Sequence, residues 1–95
     1  MEMSPRQTRL ARHALGLPNE SRKSYRNRFV AGPGHDAYQD WMGMVSAGAA
    51  TQILGETGNS LFRLTQAGAE LALIPPERLC PEDFPNSTKA AKRGF

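Results

Sequence analysis

A predicted β-hairpin between two predicted helices constrains the fold of this chain most. Its strands are the short β-type runs ATQIL, residues 50–54, and LFRLT, residues 61–65. A six-residue loop with two glycines, an asparagine and a serine joins them. A loop of this composition is typical of antiparallel neighbours. Because side chains alternate along a strand, Phe62 and Leu64 are predicted to face the core and Arg63 the opposite side.

Helix signals lie upstream of the hairpin. Apolar residues recur there at helical spacing: Tyr38, Trp41, Met42, Val45 and Ala49. This spacing predicts a helix over about 37–47 that buries Trp41. We expect Asp36 and Gln39 to form its capping box, and Gly48 to be the left-handed residue that ends it.

Capping residues and prolines bound two further helices. Ser4, followed by a proline, predicts the start of a basic amphipathic helix that ends near Leu15. After the hairpin, Thr65 is the predicted cap of a helix that stops before Pro75. Between the first two helices, residues 24–32 lack helical periodicity and are predicted to contain a short extended piece.

The length of the chain sets its domain organisation. Its 95 residues leave room for a single modest core. We predict one α+β domain over residues 1–85, with Leu79 and Phe84 anchoring the proline-rich end, and a flexible tail over residues 86–95.

Residues suited to metal or nucleophilic chemistry are sparse. The single Cys80 leaves no internal disulfide, and together with His13 and His35 it falls short of the roughly four ligands of a structural zinc site. None of the three lies in a nucleophile motif such as Gly-x-Ser-x-Gly. We therefore predict a binding protein with no enzymatic activity and no cofactor or metal. The lack of a signal-peptide run or membrane-length apolar window predicts a cytoplasmic location without membrane contact.

Basic residues concentrate at the front of the chain. Residues 1–28 hold seven basic against two acidic side chains, a net +5, whereas residues 29–88 hold two against seven, a net −5. The last seven residues add +3. This asymmetry indicates a polyanionic partner or an acidic protein surface. The candidate nucleic-acid-binding residues are Arg9, Arg12, Arg22, Lys23, Arg26 and Arg28.

Each group of candidates has a plainer alternative. The arginines of the first helix either meet phosphates along one face or form a solvated face. The segment SRKSYRNR, residues 21–28, mixes basic residues with Asn27 and Tyr25, which donate hydrogen bonds to phosphates. Its alternative is a polar surface arm in which Tyr25 and Phe29 pack inward. The sequence leaves both pairs of alternatives open.

Residues 41–73, WMGMVSAGAATQILGETGNSLFRLTQAGAELAL, resemble the second half of a winged-helix domain. The resemblance implies a winged-helix-like α+β fold in which one helix can enter a DNA groove and a two-stranded hairpin forms the wing. The outward residues of this helix include no Lys or Arg, and the wing carries Glu56. Predicted phosphate contacts therefore move to the basic front of the chain. The motifs HALGL, YRNRFVAGPGH and LCPEDFP also resemble small bacteriophage and prophage proteins of uncharacterised function.

Two hypotheses follow for the function. The first is a phage or prophage accessory protein that binds DNA, with a role in transcription regulation, through its basic N-terminal face. The alternative is a protein-interaction module that binds an acidic surface and inhibits or redirects a host bacterial complex, such as a defence system or the transcription machinery. The sequence contains no long amphipathic helix for dimerisation, and it leaves the oligomeric state open.

Overall fold

The computed structural model describes residues 2–85, which form three helices and three strands. In chain order these are α1 (Pro5–Leu15), β1 (Phe29–Ala31), α2 (Tyr38–Ser46), β2 (Ala50–Leu54), β3 (Ser60–Leu64) and α3 (Gln66–Leu71). The predicted α+β class is confirmed. The tail predicted over residues 86–95 lies outside the described residues.

The three strands form one antiparallel sheet with β3 at its centre. The predicted hairpin consists of β2 and β3, in which Gln52 lies opposite Phe62. The extended piece predicted upstream is β1, which pairs with the other side of β3 and places Phe29 opposite Phe62. The sheet therefore has three strands where the hairpin pattern alone predicted two.

Asn27 extends the pairing of β1 with β3 by a side chain. Its Nδ2 donates to the carbonyl oxygen of Leu64 at 3.1 Å, and its Oδ1 accepts from the Leu64 amide at 2.8 Å. The carboxamide thus satisfies the backbone groups that a longer β1 would otherwise pair. This contact attaches the chain before β1 to the end of the hairpin.

The core lies between the helices and one face of the sheet. Trp41 is fully buried and stacks on Phe62, with ring centroids 5.4 Å apart, and Phe29 lies 5.3 Å from the same indole. Leu64 is also buried. The predicted core positions of these hairpin residues and of Trp41 are confirmed. The predicted anchors of the C-terminal segment, Leu79 and Phe84, are buried as well.

Two predicted helix caps are confirmed and one is wrong. The Ser4 hydroxyl accepts from the Gln7 amide at 3.0 Å, and the Thr65 hydroxyl accepts from the Gly68 amide at 3.1 Å. The capping box expected from Asp36 and Gln39 does not form, because α2 starts at Tyr38 and its N-cap is Ala37, which has no side-chain acceptor.

The turn before α2 uses a different acceptor. His35 Nδ1 accepts from the Ala37 amide at 2.9 Å, so the imidazole satisfies an amide of the turn that leads into α2. At the other end of the helix, Gly48 has a φ of +82° and its amide donates to Val45, as expected for a left-handed residue after a helix.

Candidate nucleic-acid interface

Residues 22–28, here called the basic arm, are held between α1 and the C-terminal segment. Its Ser24 amide donates to the carbonyl of Arg78 at 2.9 Å, and the Ser24 hydroxyl accepts from the Cys80 amide at 2.8 Å. On the other side, the Tyr25 amide donates to the carbonyl of Leu15 at 3.1 Å. The arm therefore presents its charged side chains from a backbone that is hydrogen-bonded on both sides.

Arg12 does not belong to the exposed basic surface. Its guanidinium makes two hydrogen bonds to the Glu77 carboxylate, at 2.5 and 2.7 Å, and one to the carbonyl of Ala72 at 2.9 Å. The two side chains are only 16% and 6% exposed. The sequence predicts Arg12 to bind phosphate, but the Glu77 carboxylate occupies its guanidinium group.

The bidentate pair shifts the pKa of both groups. The Arg12 hydrogen bonds lower the pKa of Glu77 below its ordinary value, against the opposing effect of burial, and the Ile74 amide reinforces the shift. The same hydrogen bonds raise the pKa of Arg12. The pair therefore stays ionised at neutral pH and links α1 to the segment after α3.

Arg26 lies at the C-terminal end of α1. Its Nε and Nη2 donate to the carbonyl of His13 at 3.2 and 2.7 Å, and its guanidinium lies 5.3 Å from the centre of the Tyr25 ring. A cation is favourable here because the carbonyls of the last turn lack helical partners. These contacts orient Arg26 while leaving its positive charge without a carboxylate partner among the described residues.

The sheet brings Arg28 next to Arg63, which the sequence did not identify as a candidate for nucleic-acid binding. The side chains of β3 alternate, and Arg63 is exposed on the face away from the helices, as its strand position predicted. Because Phe29 pairs with Phe62, Arg28 and Arg63 lie opposite each other by continuation of the register. The signal for Arg63 was present in the strand alternation, but its neighbour became known only from the pairing with β1.

An exposed apolar row crosses the same face of the sheet beside the two arginines. Leu61 of β3 lies between Val30 of β1 and Ile53 of β2 in the strand register. Val30 is 49% exposed and Ile53 is 54% exposed. We call this side of the sheet, with Arg28 and Arg63, the outer sheet face.

Two open depressions meet at Arg26 and Arg28. The first measures about 530 Å³ and the second about 520 Å³. The first is lined by Arg26, Asn27, Arg28, Leu61, Arg63, Glu82 and Asp83. The second is lined by His13, Arg26, Arg28, Phe29 and Val30. Three arginines thus converge on one concave surface, whose lining also includes the two carboxylates of Glu82 and Asp83.

The other candidates lie apart from these depressions. Arg9 is exposed on α1, and Arg22 and Lys23 are exposed at the start of the arm, where the backbone pairs with that of Arg78. Within residues 2–85 the only ion pairs are those of Arg12 with Glu77 and of Arg6 with Asp40. Every basic residue of the arm therefore lacks a described carboxylate partner.

Of the two aromatic residues expected to pack inward from a surface arm, only one does. Tyr25 is 63% exposed, and its ring covers Gly16, where any side chain would overlap it. Gly16 has a φ of +82°, which also favours glycine at the end of α1. Phe29 is half-buried and lies edge-on to His13 and His35, at 5.7 and 5.6 Å between ring centroids.

Residues 2–85 contain neither a candidate metal-binding cluster nor a helix suited to spanning a membrane. This part of the chain holds no group of three His, Cys, Asp or Glu side chains placed to share a metal ion. None of its helices combines the length and the apolar character that crossing a membrane requires.

Comparison with models of protein families, with curated proteins and with solved structures found no match.

Proposed function

We propose that this protein binds nucleic acid, DNA in the first instance, through Arg26, Arg28 and Arg63. The observation that carries the proposal is the convergence of these three side chains on one depression. None of the three forms an ion pair within residues 2–85, although Glu82 and Asp83 also line this depression. Arg22 and Lys23 are exposed on the same arm but line neither depression. Phosphate neutralisation supplies most of the nonspecific affinity of DNA-binding proteins, and guanidinium groups bind phosphate oxygens in a bidentate manner.

The element order supports a winged-helix-like arrangement as the finer description of the fold. From α2 to α3 the chain runs helix, strand, glycine-containing hairpin, strand and helix, in the order of the winged-helix half that residues 41–73 resemble. We propose a variant in which α2 and the hairpin loop do not make the main DNA contacts. The exposed residues of α2 include Gln39 and Ser46, and the loop carries Glu56, so neither supplies positive charge.

The biological role proposed for this surface is that of a small phage or prophage accessory protein that takes part in transcription regulation. It rests on the resemblance of the sequence to such proteins and on the DNA-binding surface proposed above. A modest number of phosphate contacts fits nonspecific or weakly specific binding, because phosphate contacts carry no sequence information.

Fluorescence anisotropy with a labelled duplex at low salt tests the proposal. With about three phosphate contacts, one from each arginine, the logarithm of the association constant should fall with the logarithm of salt concentration with a slope of about −2.7. Arg63→Gln should weaken binding and reduce this slope by about 1, because one phosphate contact is lost. Arg9→Gln is the matched control, since it removes an equally exposed arginine that lines neither depression.

Two results would contradict this proposal. No duplex binding by the unmodified protein at low salt would remove DNA as the partner. An equal loss from Arg63→Gln and Arg9→Gln would show that affinity follows net charge alone and not the outer sheet face.

A second candidate function is binding of an acidic host protein, and the apolar row of the outer sheet face favours it. Val30, Leu61 and Ile53 offer apolar contact area that phosphates cannot use, next to arginines that can pair with carboxylates. A stoichiometric partner captured from nuclease-treated bacterial lysate and lost with Arg63→Glu would support this function. Capture that is unchanged by Arg63→Glu would exclude the outer sheet face as the binding surface.

A further inference from the structure

The edge of the sheet formed by β2 has none of the usual protection against pairing with another strand. The strand reads Ala-Thr-Gln-Ile-Leu and contains no charge and no proline. Its last residues are open to solvent, with Ile53 54% and Leu54 70% exposed. The opposite edge is different, because β1 has three residues and lies between Arg28 and the Gly32–Pro33 turn. Short strands, charges and prolines are the devices that protect sheet edges.

The backbone directions along β2 follow from the two ends of the β2–β3 ladder. The Thr65 amide donates to the carbonyl of Ala49 at 2.9 Å, and the Gly55 amide donates to the carbonyl of Asn59 at 2.7 Å. Hydrogen-bonded and non-bonded residues alternate in an antiparallel pair, so residues 51 and 53 bond to β3. Gln52 and Leu54 therefore direct their amides and carbonyls away from the sheet.

The open part of the edge is short and well defined. Ala50 also directs its backbone outward by the same alternation, but it is buried, so a new strand has no access there. Access remains at the exposed Leu54 and at the half-buried Gln52, on either side of the exposed Ile53.

We propose that β2 pairs with β2 of a second copy of this chain, antiparallel and about a two-fold axis at Ile53. In this register Gln52 of each copy exchanges backbone hydrogen bonds with Leu54 of the other. Ile53 then faces its own copy at a non-hydrogen-bonded position, where opposite side chains are closest. The exposed row of Val30, Leu61 and Ile53 continues across the axis into the same row of the second copy.

Charge and side-chain chemistry favour a second copy as the occupant. The residues within two positions of Ile53 are Thr51, Gln52, Leu54 and Gly55, so no like charges meet across the two-fold axis. An isologous contact requires a surface that complements itself, and an uncharged strand centred on an exposed isoleucine meets that requirement. The dimer carries Arg28 and Arg63 of both copies on one extended sheet face. The pairing does not depend on nucleic-acid binding.

The contact between the two copies is small. One short strand edge buries less than the ~1,200 Å² of a standard stable interface, so the dimer should be weak and depend on concentration. Sedimentation equilibrium of the full chain from about 10 µM to about 1 mM covers the affinities expected for such a contact. The average mass of the unmodified protein should rise from that of a monomer toward that of a dimer across this range.

Paired substitutions distinguish the β2 edge from the rest of the face. Ile53→Lys places two ammonium groups against each other at the two-fold axis and should weaken the dimer at least tenfold. Val30→Lys is the matched control, because Val30 is similarly exposed in the same row but lies on the opposite edge. It should leave the dissociation constant unchanged, and circular dichroism establishes that both variants fold.

Amide hydrogen exchange of the unmodified protein tests the same pairing without any substitution. The amides of Gln52 and Leu54 should become more protected as protein concentration rises, while the amide of Val30 should not. A monomer at about 1 mM overturns the proposal. It is equally overturned if Val30→Lys and Ile53→Lys weaken the dimer alike, or if the Gln52 and Leu54 amides exchange at the same rate at every concentration.

Discussion

Gly68 allows α3 to begin directly against the backbone that precedes β2. A Cβ at this position would overlap the carbonyl and Cα of Ala49, which are backbone atoms and cannot rotate away. The neighbouring Thr65 amide donates to that same carbonyl at 2.9 Å, so the close approach of α3 and the end of the sheet are one contact. Because Gly68 has no side chain, α3 can approach the backbone of Ala49 this closely.

Replacing this glycine should test the contact directly. Gly68→Ala should lower the free energy of unfolding by about 1–3 kcal/mol, because α3 must move away from Ala49. Gly34→Ala is the control, since a Cβ there meets no atom within 4 Å, and its effect should stay within about 0.5 kcal/mol. Urea denaturation measures both values. Equal effects of the two substitutions would contradict the packing role of Gly68.

At the scale of elements, α1 is linked to its neighbours by both ion pairs found within residues 2–85. Arg6 Nε lies 2.7 Å from the Asp40 carboxylate on α2, and Arg12 pairs with Glu77 after α3. The first pair is on the surface and contributes little. The second is largely enclosed, and removing one partner would leave the other charged group without compensation.

The pH dependence of stability should reveal the second pair. The folded state lowers the pKa of Glu77, so its contribution is complete above the unfolded value of about 4.3 and is lost as the pH falls through the lower folded value. At pH 7, Glu77→Gln should lower the free energy of unfolding by about 2–3 kcal/mol. The difference from the unmodified protein should shrink below about pH 4.

Glu20→Gln is the matched control for this experiment, because Glu20 is exposed and belongs to neither ion pair. Urea denaturation at a series of pH values measures all three proteins. A difference between Glu77→Gln and the unmodified protein that stays constant down to about pH 3 would contradict the assigned role of Glu77.

At the scale of the whole molecule, local charge placement matters more than net charge. Residues 2–85 contain nine basic and nine acidic side chains, so this part of the chain is formally neutral. The ion pairs of Arg6 and Arg12 neutralise two basic and two acidic side chains. The arm and the outer sheet face hold basic residues without described ion-pair partners. Glu82 and Asp83 line the first depression together with Arg26, Arg28 and Arg63, and their negative charges oppose these arginines.

Removing the negative charges of Glu82 and Asp83 should strengthen nucleic-acid binding. Glu82→Gln and Asp83→Asn should each raise duplex affinity about threefold at low salt, because a carboxylate about 6 Å from a phosphate costs about 0.7 kcal/mol in water. The gain should diminish near 0.15 M salt, where the screening length falls to about 8 Å. Glu56→Gln, outside both depressions, is the anisotropy control. An equal gain in affinity from Glu56→Gln would contradict a specific effect of Glu82 and Asp83 on binding in the depression.

How much of the site the sequence predicted differs from residue to residue. Arg26 and Arg28 were candidates and line both depressions, whereas Arg63 entered the site through strand pairing. Arg12 was a candidate because it lies on the polar side of α1. It does not belong to the site, because its guanidinium group is bound by the carboxylate of Glu77, which is 65 residues away in the chain.

The sequence by itself determined the helices, the hairpin, the Thr65 cap and the core faces around Trp41 and Phe62, because periodicity, capping and turn chemistry act over a few residues. The tertiary structure decided that β1 joins β3, that Arg28 meets Arg63, and that Arg12 is enclosed with Glu77. It also decided that β2 forms an open edge. These outcomes depend on contacts between distant segments, whose pairing is set by the packing of the whole core and not by any local pattern.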